Sequence, residues 1–315
     1  MGCPTIGTAS LRSTPSKGHR PSPPKAQEPG MKLYIVADME GATGITHGDQ
    51  LMESGGPRYH SGCRLLTGDV NAVIEGALSE GVTDVLISEG HANMRNVLVE
   101  DLHPAARVIR GPAQWAQKPL CQVADLTDEM DVGIFVGFHS RAGTPKGLLS
   151  HTWAGAVVHR LSINGQEAGE TLINAALLGE QGVPVALVCG ADDLAREATQ
   201  DLPGVEVAVL KKTLGAQLAA CWGPKYTAPL LREAAAAAIR KHKAGAFEPL
   251  ALATPTRVDL EAKDDRMTDR MALVPGVIRE GRRHLAFEGP SVSAALSLAW
   301  RAISEVFHRP GNWLE

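Results

Sequence analysis

KLYIVADMEG, residues 32–41, decides the fold. Leu33 to Ala37 are apolar at consecutive positions, the mark of a strand buried on both faces rather than a half-solvated one. The strand runs directly into two carboxylates, Asp38 and Glu40. In extended backbone, residues two apart point to the same side, so both acids face one spot at the carboxyl edge of the sheet. Open α/β sheets bind their ligands at that edge. Two acids there repel unless protons or cations intervene, which favours a metal. Taken alone, the pair also reads as a strand-end Asp capping the next turn, with Glu40 solvated.

Further along, the same kind of apolar run recurs in VTDVLIS (82–88), VGIFVG (132–137), LSING (161–165) and VPVALVCG (183–190). Helical patterns separate these runs, over residues 62–80 and again from Glu167. Apolar strands alternating with helices predict an α/β fold, a three-layer α/β/α sheet domain over residues 31–210 that carries the site. Beyond Leu210 the pattern changes. The helix LLREAAAAAIRKHKAG (230–245) is followed by LALATPTRVDL (250–260), a helical DDRMTDRMAL (264–273), short strands at VIRE (277–280) and HLAFEG (284–289), and a closing helix over 292–307. Residues 211–315 are therefore expected to form a smaller α+β subdomain, a second domain or an oligomerisation cap.

Residues 1–30 are rich in Pro, Ser and Gly and offer too little apolar surface to offset their ordering entropy, so a disordered tail is expected. The tail ends directly before Met31, where the first strand begins, and Met31 is the expected natural start.

A chain of 315 residues with 44% apolar content can bury a full core. Its formal charge of −4 and lack of a long basic block argue against nucleic acid as a partner. The five cysteines are scattered, with no C-x-x-C pair, which predicts reduced thiols and a cytoplasmic location. No apolar run approaches a membrane span and no secretory signal is evident, so no membrane association is expected.

Two further strands sharpen the metal reading. VLIS is followed by Glu89, Gly90 and His91, and VGIFVG by Phe138, His139 and Ser140. Each strand thus delivers a histidine just past the carboxyl edge, and imidazole with carboxylate suits zinc. Glu170, near the start of a helix, reads alone as a carboxylate facing the helix dipole. With Asp38, Glu40, His91 and His139 it completes five ligands, enough for two metals sharing one carboxylate. His151 follows a Gly/Pro loop and is the candidate catalytic histidine, for oxyanion stabilisation or proton transfer, its alternative being a loop histidine in a polar contact. Asn93, Asn96 and Asn174 are candidates for orienting the ligands. His47, His103 and His159 lack such placement and are expected to be structural or at the surface. The motifs of zincins, serine hydrolases, P-loop enzymes and dinucleotide-binding folds are absent from the sequence.

In order along the chain stand YIVADMEGATGI (34–45), SEGHANMRN (88–96), LHPAARVIRG (102–111), VGFHSRAGTPKGLLSHTW (136–153) and INGQEAGETLIN (163–174). This ordered set resembles the zinc-dependent D-aminopeptidases of the DppA type, from about Met31 to the C-terminus. The resemblance implies an enzyme with two zinc ions per subunit, acting on short D-amino-acid peptides such as D-alanyl-D-alanine, in a ring-like homo-oligomer such as a decamer. It implies zinc ligands at Asp38, Glu40, His91, His139 and Glu170, and an active-site histidine at His151. Where the family pattern has Asp-Ser before the first ligand histidine, this chain has Glu89 and Gly90, a change among the residues around the ligands. Two rivals stay open: a related amidase or L- or β-peptidase using the same metals, and a peptide-binding protein with structural metals.

Overall fold

The computed structural model describes Met1, Gly2 and residues 30–307. Apart from Met1, Gly2 and Gly30, the expected disordered tail lies outside the described residues. The main sheet comprises β1 (Met31–Ala37), β2 (Val82–Glu89), β3 (Ala106–Ile109), β4 (Val132–Phe138), β7 (Val185–Ala191), β8 (Glu206–Gly215) and β9 (Leu218–Cys221). Their spatial order is β3-β2-β1-β4-β7-β8-β9, parallel throughout except for the terminal β8–β9 hairpin.

Strand alternation sorts the side chains into two cores. Leu33, Ile35 and Ala37 of β1 join one core with α1 (Pro57–Ser79) and α4 (Pro224–Lys243). Tyr34 and Val36 enter the other, with α2 (Glu170–Glu180) and α3 (Asp192–Asp201). Both faces of the sheet are therefore covered, which is why β4 and β7 carry no polar residue and β1 is apolar from Leu33 to Ala37. Within α1, Cys63, Leu66, Val70, Val73 and Ala77 recur three or four residues apart and form its buried stripe. The helix starts earlier than its expected residue 62, because Pro57 supplies a ready-made first turn.

A second, antiparallel sheet has the order β11-β12-β10-β5-β6. It consists of β5 (Val158–Ile163), β6 (Gln166–Glu167), β10 (Thr256–Ala262), β11 (Val277–Arg279) and β12 (His284–Gly289), with α5 (Asp265–Met271) and α6 (Val292–Phe307) packed beside it. The LSING run thus lies outside the main sheet. Asn164 and Gly165, both at positive φ, turn β5 back onto β6, the usual chemistry of a two-residue hairpin. That pairing also moves the following helix from the expected Glu167 to Glu170.

The expected division at residue 210 falls inside β8. After it, α4 returns to pack on α1, while β5 crosses over to pair with β10 and carries β6 on its other side. The smaller unit is therefore assembled from two separated segments, because β10 needs an antiparallel neighbour on each side and β5 is one of them. Among the described residues, no helix is long and apolar enough to cross a membrane.

The topology places the site. From β1 the chain moves outward through β2 and β3, then returns to β4 on the other side of β1. The carboxyl ends of β1 and β4 thus flank a topological switch point. Two glycines let them close up: a Cβ on Gly41 would meet the Phe138 carbonyl oxygen at 1.7 Å, and one on Gly137 the Asp38 carbonyl oxygen at 2.1 Å.

Candidate metal centre

Asp38 and Glu40 leave β1 and are both buried, so the solvated alternative for Glu40 does not hold. His91 follows β2, His139 follows β4, and Glu170 occupies the first position of α2, facing the positive end of the helix. His151 reaches in from the loop between β4 and β5. The structure brings all six sequence-selected residues to one place.

The Asp38 carboxylate faces two ways. Its Oδ1 lies 3.3 Å from His91 Nδ1, and its Oδ2 lies 3.6 Å from His139 Nε2. Glu40 Oε2 adds a contact of 2.9 Å to His91 Nδ1, and Glu170 Oε1 lies 3.4 Å from His139 Nε2. Two groups able to hold a metal result, Asp38–Glu40–His91 and Asp38–His139–Glu170, in each of which the donor atoms lie within 4.8 Å of one another. Glu40, His139 and His151 form a third such group.

The outer ring nitrogens decide which ones face inward. His91 Nε2 lies 3.0 Å from the Leu51 carbonyl, and His139 Nδ1 lies 3.0 Å from the Ser140 carbonyl. Donation to those carbonyls leaves His91 Nδ1 and His139 Nε2 as lone pairs aimed into the cluster, the arrangement that metal-binding histidines adopt. Glu40 Oε2 and His139 Nε2 are buried without a hydrogen-bond partner among the described residues. Burial, and then the neighbouring Glu40 carboxylate, push the Asp38 carboxyl up to about 7. Burial works against charge on His91 and His139 too, but the carboxylates outweigh it and raise both well above the ordinary imidazole value. Each shift reflects the same demand: three buried carboxylates draw positive charge inward, and a divalent cation meets that demand without protonating the donor nitrogens. The donor set fits zinc.

His151 differs from the other five. Its side chain is 25% exposed, and it lines an open cleft of about 420 Å³ together with Glu40, Leu51, Leu149, Gln217 and Lys263. Its Nδ1 lies 2.9 Å from the Leu149 carbonyl, while its Nε2 stands 3.9 Å from Glu40 and 3.8 Å from Glu170. The ring stacks on His139, centroids 4.1 Å apart. Burial first, then the neighbouring His139, lower its affinity for a proton. Leu149 and Trp153, on either side of it, hold left-handed φ angles of 53° and 54°. Such strain persists only where the surroundings impose it, and here it aims the Trp153 N–H at Glu170 Oε1, 2.6 Å away.

Several site residues had no signal in the sequence. Gln122 Nε2 donates to Asp38 Oδ2 at 3.1 Å and also to Glu170, tying the shared carboxylate to a ligand of the second group, and Asn174 holds its amide oxygen. Gln122 lies in an irregular segment with neither periodicity nor a motif, so nothing local marks it. The Glu89 carboxylate accepts from the backbone of Asn96 at 2.7 Å and of Val97 at 2.9 Å, and from the Asn96 side chain at 3.0 Å. It thereby ties down the loop that carries His91. Of the three asparagines, Asn96 and Asn174 support the site, whereas Asn93 bonds to Glu53 outside it. His47 caps a short helical turn at residues 48–50, His103 accepts from Ala105 N at 3.2 Å, and His159 is exposed.

Known proteins share this arrangement of chain and fold. Residues 31–300 match the D-aminopeptidase family, peptidase M55. A D-aminopeptidase of Bacillus subtilis (strain 168) is 34% identical over 266 residues, 84% of this chain and 94% of that protein. The zinc-dependent D-aminopeptidase DppA from Bacillus subtilis, described as a self-compartmentalizing protease, superposes with a TM-score of 0.83 at 30% identity, covering 89% of this chain and 100% of that one. The chain belongs to the D-aminopeptidase family and is by that membership a zinc-dependent metallopeptidase.

Proposed function

We propose that this chain removes the N-terminal residue from short D-amino-acid peptides, D-alanyl-D-alanine among them, with two zinc ions per subunit that share Asp38. The observation that carries the dinuclear reading is the Asp38 carboxylate, whose two oxygens face two different histidines. Glu40 and His91 would complete one ion's ligands, and His139 and Glu170 the other's. Bound zinc supplies Lewis acidity, polarising a carbonyl and making water a nucleophile near neutral pH.

The protein's own residues supply orientation and proton handling. Gln122 fixes the planes of Asp38 and Glu170 at once, and the Leu51 and Ser140 carbonyls fix the two histidine rings. His151 donates through Nδ1 to Leu149, which leaves Nε2 as a lone pair toward the cleft. Its lowered proton affinity keeps it neutral at pH 7, able to take a proton there and pass it to the leaving amine. Partial exposure in the cleft, rather than full burial, supports this role over that of a sixth ligand. A cleft of about 420 Å³ suits a dipeptide or slightly longer peptide.

The family membership supports D-configured substrates, and the self-compartmentalizing relative supports a ring-like homo-oligomer. Free thiols at all four described cysteines support a cytoplasmic setting. Metal analysis and a hydrolysis panel of D- and L-dipeptides and amino-acid amides, run on one preparation, test this reading. Two zinc ions per subunit with turnover of D-dipeptides is the expected result. Turnover of L-dipeptides or amides alone would replace the substrate, and stoichiometric binding without turnover would replace catalysis by capture.

A further inference from the structure

Two lysines are buried near the cluster, and neither forms an ion pair among the described residues. Lys211, on β8, is fully buried. Its ammonium donates to the carbonyl of Glu40 at 2.7 Å, to that of Ala42 at 2.7 Å and to that of Ile45. Those three bonds use every proton it has. Lys118, 4% exposed, donates to the Glu89 carbonyl and lies 3.5 Å from Ser88 Oγ. One lysine thus grips the backbone of a ligand, Glu40, and the other grips the strand end two residues before a ligand, His91. Burial pushes both ammonium groups down to about 8. A buried ammonium without a counter-ion is costly unless hydrogen bonds satisfy it: three backbone carbonyls take every proton of Lys211, and the Glu89 carbonyl with the nearby Ser88 hydroxyl faces Lys118.

Both clamps act on one half of the site. Glu40 and His91 belong to the same metal-holding group. The residues of the other group, His139 and Glu170, are held by Ser140, Trp153 and Gln122, with no ammonium among their hydrogen-bond partners in the described residues. We infer that Lys118 and Lys211 are positioning residues that set the Glu40 and His91 loops to the geometry of one metal ion and leave the other ion unaffected. The inference rests on the dinuclear reading above.

The test compares full-length K211M, K118M, K211R and K118R with the unaltered protein, by zinc titration of the metal-stripped chains against a chelator and by kcat and KM at graded free zinc. For each methionine variant the expected result is one zinc bound with unchanged affinity and the other about 10- to 100-fold more weakly. Its kcat should fall at limiting zinc and return in excess zinc, with KM little changed. The arginine variants, which keep the charge on a different donor geometry, should recover part of the lost affinity. Two ions bound with unaltered affinity in the methionine variants would overturn the inference, as would equal weakening of both ions. Should the methionine variants fail to fold, the arginine variants decide by the same criterion of one weakened ion against none or both. Fewer than two ions on the unaltered protein would instead overturn the dinuclear reading itself.

Discussion

Glu40 and His91 sit on loops that run beyond β1 and β2, whereas His139 follows the end of β4 directly and Glu170 opens α2. The loop-borne pair is anchored through its backbone, by Lys211 on the Glu40 carbonyl and by Glu89 and Lys118 around the approach to His91. The element-borne pair is anchored through its side chains, His139 by the Ser140 carbonyl and Glu170 by Gln122 and the Trp153 backbone N–H. A residue on a regular element inherits its position from the ladder or the helix, so only its side chain remains to be aimed. A residue on a loop has no such ladder, and its backbone needs external partners. Asp38 stands between the two regimes, its backbone N–H bonded to the Val136 carbonyl at 2.8 Å and its carboxylate turned toward both histidines.

The comparison can be broken most completely at the shared residue. D38A removes the one carboxylate common to both halves, and metal analysis should find neither ion retained and no measurable turnover. H91A and H139A divide the halves: each should abolish turnover while leaving at most one zinc per subunit, and an unchanged zinc content in either would remove that histidine from the site. H151A tests whether the cleft histidine belongs to either half. With both ions still bound, kcat should drop by about 10²- to 10⁴-fold, and loss of an ion would make His151 a ligand instead. Q122A loosens Asp38 and Glu170 together, so zinc affinity should weaken by about 10- to 100-fold, with the Glu170 ion the more affected. At the small end, N93A breaks contacts with Glu53 and with the Arg95 backbone N–H, both outside the cluster. Its zinc content should match the unaltered protein, with stability changed by under about 0.5 kcal/mol in a denaturant titration.

Legibility in the sequence followed the same divide. Asp38, Glu40, His91 and His139 each come just after an apolar strand, and strand ends in a parallel sheet share one edge, so their meeting could be read from spacing alone. Glu170 was visible as a helix-start acid. The groups that anchor the loops were not. Lys211 and Lys212 are adjacent in β8, yet Lys211 is fully buried while Lys212 is exposed. A register irregularity in the β7–β8 pairing, which sets Lys211 opposite Ala191, is not written in the local pattern. Similarly, Gln122 and Lys118 lie in a segment without periodicity and reach the cluster only because the chain between β3 and β4 folds back over the carboxyl edge. The small sheet escaped the linear reading for a related reason, since β5 and β10 are about a hundred residues apart and pair only in the folded chain.

The sequence by itself determined the apolar strands, the side on which their terminal acids and histidines emerge, and the family to which the chain belongs. Those properties are local, set by the two-residue period of extended backbone and by ordered motifs. Tertiary structure alone decided that β1 and β4 are neighbours at the switch point, that Asp38 faces two histidines, and which buried lysines and glutamine hold the cluster. The physical reason is that sheet order and the partners of buried polar groups depend on contacts between distant segments, whose satisfaction is settled only when the whole core closes.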